Sequence, residues 1–147
     1  MAYHHTQRGT IIVGGAAVAL FFIFFSLWDT EQPDPVKLGV LAVLALALVL
    51  FNSLTVEVKN NSLVCRFGVG LIQKKFPLSE IKGVCVVQNP WYSGWGIRWR
   101  PGRYVLWSVS GFQAVELALK DGNRFRIGTD EPEELLNAIR NHNTIGT

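Results

Sequence analysis

Two uninterrupted apolar stretches open the chain, and an alternating pattern follows them. Residues 10–28 are nineteen positions without a charge, centred on Phe21, Phe22, Ile23, Phe24 and Phe25. A helix needs about 20 residues to cross a hydrocarbon core of roughly 30 Å, so this run predicts a spanning helix. It is too long for the apolar region of a signal peptide, and no A-x-A-like cleavage site follows Trp28. A second run without charges covers residues 38–51 and reaches nineteen positions when extended to 36–54. Lys37 then snorkels outward at one end, and Asn52 and Ser53 sit at the other. Spanning is the preferred reading here too, because an unpaired first helix would leave the charged remainder on the opposite side of the membrane. Between the runs, residues 29–37 carry Pro33, Pro35 and a net charge of −2, which reads as a polar turn. Residues 1–54 are therefore predicted as an antiparallel transmembrane hairpin with helices at about 10–28 and 36–54. The small residues Gly15 and Ala19, and Ala42 and Ala45, have a spacing that would allow close helix packing.

From Leu54 the period drops to two. Leu54, Val56 and Val58 share one face and Thr55, Glu57 and Lys59 the other, the signature of a half-buried strand that starts at the membrane. Asn60-Asn61-Ser62 supplies a turn, 63–67 a return strand, 68–70 another turn and 71–76 a third strand. A brief helical turn is expected over 77–82 and a strand over 84–88. Two hairpins follow, 97–100 with 104–108 around Pro101-Gly102, and 114–119 with 124–128 around Asp121-Gly122. The last element is an amphipathic helix, with Asp130 as its N-cap, Glu133 as the capping partner and Leu135, Leu136, Ala138 and Ile139 as its apolar stripe.

About seven short strands followed by one C-terminal helix form an outline that resembles bacterial membrane proteins with two transmembrane helices and a C-terminal pleckstrin-homology-like domain. The resemblance is carried by Asn89-Pro90-Trp91-Tyr92-Ser93-Gly94-Trp95-Gly96-Ile97-Arg98. It is carried too by Ala114-Val115-Glu116-Leu117, leading through Asp121-Gly122 to Phe125-Arg126-Ile127-Gly128-Thr129-Asp130-Glu131-Pro132. It implies an α+β or all-β domain over residues 55–147: a barrel of about seven antiparallel strands, built as two sheets and plugged at one end by the last helix. It implies little about function, because fold alone does not supply a ligand.

Composition changes this picture in one respect. The chain is 49% apolar and 17% charged with a mean hydropathy of +0.24, too apolar for an ordinary soluble domain, yet the excess is confined to the two runs. The remaining 93 residues are enough to bury a core. Disorder, collagen-like repeats and a disulfide framework are excluded. Charge then sets the topology: Arg8 precedes the first helix, only Lys37 lies in the turn, and twelve of the fourteen Lys and Arg follow the second. By the positive-inside rule both termini are cytoplasmic, as expected for a multi-pass protein of the bacterial inner membrane.

Within the domain, residues 59–103 hold eight basic residues and one acid, whereas 104–147 carry a net charge of −2. Four of the five tryptophans lie between Trp91 and Trp107, interleaved with Arg98, Arg100 and Arg103, a composition shared by binding hot spots, membrane-interface belts and the packing of small barrels. Trp91, Trp95, Arg98, Trp99 and Arg100, joined by Lys74 and Lys75, are the candidate partner- or lipid-binding residues. The leading expectation is a non-enzymatic membrane protein whose domain binds another membrane or cytoplasmic protein, or its own copies, beside the bilayer. The alternatives are a sensor of anionic membrane lipids and a small membrane protein of immunity or stress tolerance. No nucleic-acid partner is expected, since no recognised motif accompanies the basic residues. With only His4, His5 and His142, at no ligand-like spacing, and no phosphate loop or nucleophile elbow, neither a metal, a cofactor nor catalysis is expected. Glu116, Asp121, Asp130 and Glu131 are assigned to strand, turn and cap positions. Cys65 and Cys85 are assigned to buried strand positions as small hydrophobes.

Overall fold

The computed structural model describes residues 2–29, 31–32 and 34–144; Thr30 and Pro33 of the expected polar turn lie outside the described residues. The chain begins with a strand that the apolar pattern does not announce, β1 (Tyr3–Arg8). Helices α1 (Thr10–Trp28) and α2 (Pro35–Phe51) follow, and β2 (Ser53–Lys59) comes next. β1 and β2 pair antiparallel, from Tyr3 opposite Val58 to Arg8 opposite Ser53. The helical hairpin is thus the connection of a β-hairpin. One residue on each side makes the transition: the Gly9 N–H donates to the Asn52 carbonyl at 2.7 Å. Gly9 is buried, and a Cβ there would lie 3.0 Å from the Phe51 carbonyl oxygen.

The four-stranded sheet has the order β1-β2-β3-β4, with β3 (Ser62–Phe67) and β4 (Ile72–Pro77). Asn60 and Asn61 both take positive φ, 50° and 58°, as a tight two-residue hairpin turn requires. After a 3-10 turn at Leu78–Glu80 comes the second sheet, ordered β5-β8-β9-β7-β6. Its strands are β5 (Ile81–Gln88), β6 (Gly96–Arg100), β7 (Tyr104–Ser108), β8 (Gln113–Leu119) and β9 (Arg124–Gly128). Helix α3 (Pro132–Thr144) closes the order of elements.

Several expectations are corrected. Eight strands follow the helices where about seven were expected, β1 adds a ninth from before them, and the sheets are open instead of joining into one closed barrel. They are also not wholly antiparallel, because β7 and β9 run parallel, Val105 opposite Phe125 and Trp107 opposite Ile127. The reason is that the hairpin of β6 and β7 adds to the far side of β9 instead of lying between β5 and β8. The second helix ends at Phe51 rather than 54, because Ser53 and Leu54 are already paired in β2. Asp130 does not cap α3: its carboxylate meets His5, Pro132 opens the helix, and the Thr129 hydroxyl accepts from the Glu131 N–H at 3.1 Å. A Cβ on Gly15 would meet no atom within 4 Å, so no helix packs against that glycine.

The core forms between the sheets from the alternation read in the sequence. Leu54, Val56 and Val58 are buried against Leu63, Phe67, Trp107, Val115, Leu117 and Ile127, and α3 adds Leu135 and Ile139. Neither α1 nor α2 has a fully buried residue, and only their domain ends touch this core, through Ile12 and Phe51. Phe21, Phe22, Phe24 and Phe25 are each more than half exposed, and α1 is long and apolar enough to cross a membrane. α2, at 17 residues, is a shorter apolar helix. It is capped by Asp34, whose carboxylate accepts from the Val36 N–H, and Lys37 reaches back to the Ser26 carbonyl.

The parallel contact of β7 and β9 depends on a missing side chain. A Cβ on Gly128 would overlap the Ser108 hydroxyl and lie 2.6 Å from Ser108 Cβ and 3.0 Å from its Cα, leaving only main-chain movement as relief. Gly128→Ala is expected to cost about 1–3 kcal/mol, lowering the thermal midpoint in detergent by several degrees, whereas Gly83→Ala, where φ is ordinary and a Cβ meets nothing within 4 Å, is expected to change it little.

Candidate functional site

The helices leave the domain at one end, marked by Gly9, Asn52, the β3–β4 turn and the segment between β7 and β8. The sheets spread apart at the other. There β4 and the turns β6–β7 and β8–β9 line a cleft of about 490 Å³. Phe76 of β4 points inward, opposite Leu63, and the same alternation turns Lys74 inward opposite Cys65. The Lys74 ammonium stands 5.3 Å from the Phe76 ring centre and 5.2 Å from that of Phe125, a cation over the aromatic floor of the cleft. Trp99 of β6, opposite Val105, lines the same cleft and is 73% exposed. Lys75, Arg100, Arg103 and Arg124 bring the lining cations to five, against Glu80 and Asp121. Asp121 is fully exposed, and its carboxyl is held below the usual range first by the backbone N–H of Asn123 and then by that residue's side-chain amide.

The outer face of the five-stranded sheet engages Arg126 and Arg98 and, at the edge of the cleft, Arg100 and Arg124 as well. Glu116 stands opposite Arg126, whose Nε donates to Oε2 at 2.6 Å, and Arg124 lies 3.5 Å from the other carboxylate oxygen. Arg126 also donates to Asn89 Oδ1 at 3.0 Å and lies 3.7 Å over the Tyr104 ring. Arg100 stands 5.6 Å from the Tyr92 ring centre and 5.9 Å from that of Tyr104. Arg98 lies along Gly94, where a Cβ would come 3.1 Å from its guanidinium. Trp95 donates from Nε1 to the Gly111 carbonyl and packs on Phe112. Trp91 is 79% exposed beside Tyr92.

Of the residues singled out in the sequence, Lys74, Lys75, Trp99 and Arg100 therefore come together around one cleft; Trp91, Trp95 and Arg98 do not line it. Arg103 and Arg124 join them, although the sequence reading did not choose them as site residues. Each borders a hairpin turn, Pro101-Gly102 and Asp121-Gly122, and tracing strand direction puts both turns at the same end of the sheet. Trp107 is a core residue.

The acids considered for chemistry are otherwise engaged. Glu116 serves two arginines, and Asp121 its own turn. Asp130 and Glu131 clasp His5, whose Nε2 is 2.7 Å from Asp130 Oδ1 and whose Nδ1 is 3.1 Å from Glu131 Oε2. Tyr3 donates to the same Glu131 oxygen at 3.5 Å, and burial, reinforced by that carboxylate, pushes its phenol well above the ordinary range. This clasp fastens β1 to the start of α3. Among the described residues, no group of three or more His, Cys, Asp or Glu is placed to hold a metal ion. No protein-family model matches the chain, and a search of curated proteins finds no match.

The two cysteines part company. Cys65 is buried behind Lys74, and desolvation pushes its thiol up to about 12 although the lysine pulls the other way; Cys85 is exposed rather than buried as expected. Maleimide at pH 8 is expected to modify one thiol per folded chain, at Cys85, and both after denaturation, as read by intact mass. The unfolded thiol ionises near 9.0 and the folded one only near 12, so the stability gained from burying Cys65 neutral is complete below about pH 9 and is lost as pH rises through that window.

Proposed function

We propose that this chain is a non-enzymatic, membrane-anchored binding protein that presents its distal cleft to an acidic segment of a partner protein. In this reading α1 and α2 both cross the bacterial inner membrane, and residues 1–54 form the anchor. Both termini are cytoplasmic, and residues 55–147 are a pleckstrin-homology-like domain. The observation that carries the proposal is the cleft itself. Lys74, Lys75, Arg103 and an exposed indole converge on an apolar floor at the end of the sheets away from the helices, with Arg100 and Arg124 at its edge and Glu80 and Asp121 as the lining acids. Aromatic and arginine side chains around a partly desolvated depression are the usual anchors of protein recognition, and the excess of positive charge selects for acidic partners and speeds their encounter.

A protein partner is favoured over lipid of the same bilayer by distance. Trp99, Arg103 and Arg124 border turns one strand length, about 16–23 Å, from the helix ends, whereas Lys74 and Lys75 of β4 stand nearer, about 10–13 Å past Leu71. Anchoring by the helices also supplies nearness to the membrane without any lipid affinity in the cleft.

The test uses the full chain in nanodiscs of neutral lipid and a fluorescent peptide of alternating glutamate and leucine, followed by anisotropy. Saturable binding is expected to weaken about tenfold in the double variant Lys75→Glu, Arg103→Glu and to fall with salt, while Arg98→Ala, outside the cleft, binds as the parent does. Binding that ignores the charge reversal removes the cleft as the site. Binding only to discs of anionic lipid, with none to the peptide, transfers the reading to lipid sensing.

A further inference from the structure

We propose that the end of the domain nearest the helices is itself seated in the bilayer interface, through one apolar tip from each sheet. The inference rests on the reading that α1 and α2 lie in the membrane, and it concerns a surface separate from the cleft. The first tip is the β3–β4 turn, where Val69 and Leu71 are 66% and 77% exposed. This turn lies beside the last turn of α2: Gly68 has a positive φ of 48°, its N–H donates to the Ser53 carbonyl at 2.8 Å, and a Cβ on it would overlap the Val49 carbonyl oxygen and lie 2.7 Å from that of Leu50. Wherever Val49 and Leu50 sit in depth, Val69 and Leu71 sit beside them.

The second tip is the connection between β7 and β8. Ser110 accepts from the Gln7 amide through both its carbonyl and its hydroxyl, and donates from that hydroxyl to the Arg8 carbonyl, which places the connection at the start of α1. It carries Phe112, 41% exposed, with Trp95 packed on it. Apolar side chains, with an indole among them, thus flank the point where the helices emerge, the placement that interfacial residues adopt.

The length of α2 gives the arrangement a further reason. Seventeen residues extend about 25 Å, short of the roughly 30 Å of hydrocarbon. An apolar turn beside its C-terminal end lets the hydrocarbon reach a few ångströms past the last helical turn, with Val69 and Leu71 meeting it there. The occupant we assign to both tips is therefore the boundary between headgroups and acyl chains.

The experiment uses the full chain reconstituted into phosphatidylcholine vesicles. Cys85→Ser removes the exposed native thiol, and a polarity-sensitive fluorophore is placed on Leu71→Cys, on Phe112→Cys and, at the far end, on Lys120→Cys. Emission from 71 and 112 is expected to be blue-shifted and quenched at least about threefold more than from 120 by a nitroxide on a shallow acyl-chain carbon. Equal quenching at all three sites, in chain that floats with the vesicles, overturns the seating and leaves the anchoring intact. Failure to float overturns both. Energy transfer between labelled copies at 71, without lipid quenching, shows a second copy over the turn and overturns the lipid assignment.

Discussion

The bond from the Gly9 N–H to the Asn52 carbonyl closes the register of β1 on β2 at the place where both strands become helices. No flexible linker separates the apolar hairpin from the sheet; one residue intervenes on each side. A side chain at Gly9 would be tight, its Cβ 3.0 to 3.3 Å from the carbonyl oxygens of Phe51 and Asn52 and from Val109 Cβ. The orientation of the β domain on the helices, the position of the β3–β4 turn against α2 and the direction in which the cleft opens all follow from that junction.

A line of aromatic rings runs from the junction to the cleft. Phe51 at the end of α2 meets Phe67, Phe67 meets Trp107, Trp107 meets Phe125 and Phe125 meets Phe76, at centroid separations of 4.7 to 5.5 Å. Lys74 terminates the line. Close-packed rings resist independent movement, so the depth of the cleft floor and the position of the helix end are set by the same packed core. The outer face of the second sheet is organised differently, by charge. There Glu116 holds Arg126 and approaches Arg124, and the guanidinium groups of Arg126 and Arg100 stand over Tyr104. Arginines that look equivalent along the sequence thus differ in place: Arg126 belongs to the network, Arg103 to the open rim, and Arg100 and Arg124 to both.

What the sequence made legible follows the strength of its periodicities. The continuous runs around Phe22 and Leu46 predicted two helices, and the alternation from Leu54 to Val58 predicted a strand with the correct face inward. The turns at Asn60-Asn61 and Asp121-Gly122 were readable because left-handed conformations leave a local chemical mark. β1 was not, since Tyr3, His5 and Gln7 face inward as polar residues whose partners, Glu131, Asp130 and Ser110, lie more than a hundred positions away. The parallel pairing of β7 with β9 leaves no local signature either, and without it the sheet reads as a simple meander. The candidate site was half legible: Lys74 and Trp99 stand out by residue type, but only strand direction separates the end that holds them from the end that holds Trp95.

The placement of β1 bears on how the protein is made. Its partner strand, β2, leaves the ribosome only after both apolar helices, and Tyr3 must find Val58 across the whole hairpin. Loop closure over that distance is costly for a free chain, whereas two helices already side by side bring Arg8 and Ser53 to adjacent positions. Docking of α1 on α2 is then the step that templates the β1–β2 ladder. Until they dock the β2 edge stays bare, so the helical hairpin acts on this β domain as a folding template as well as a connection.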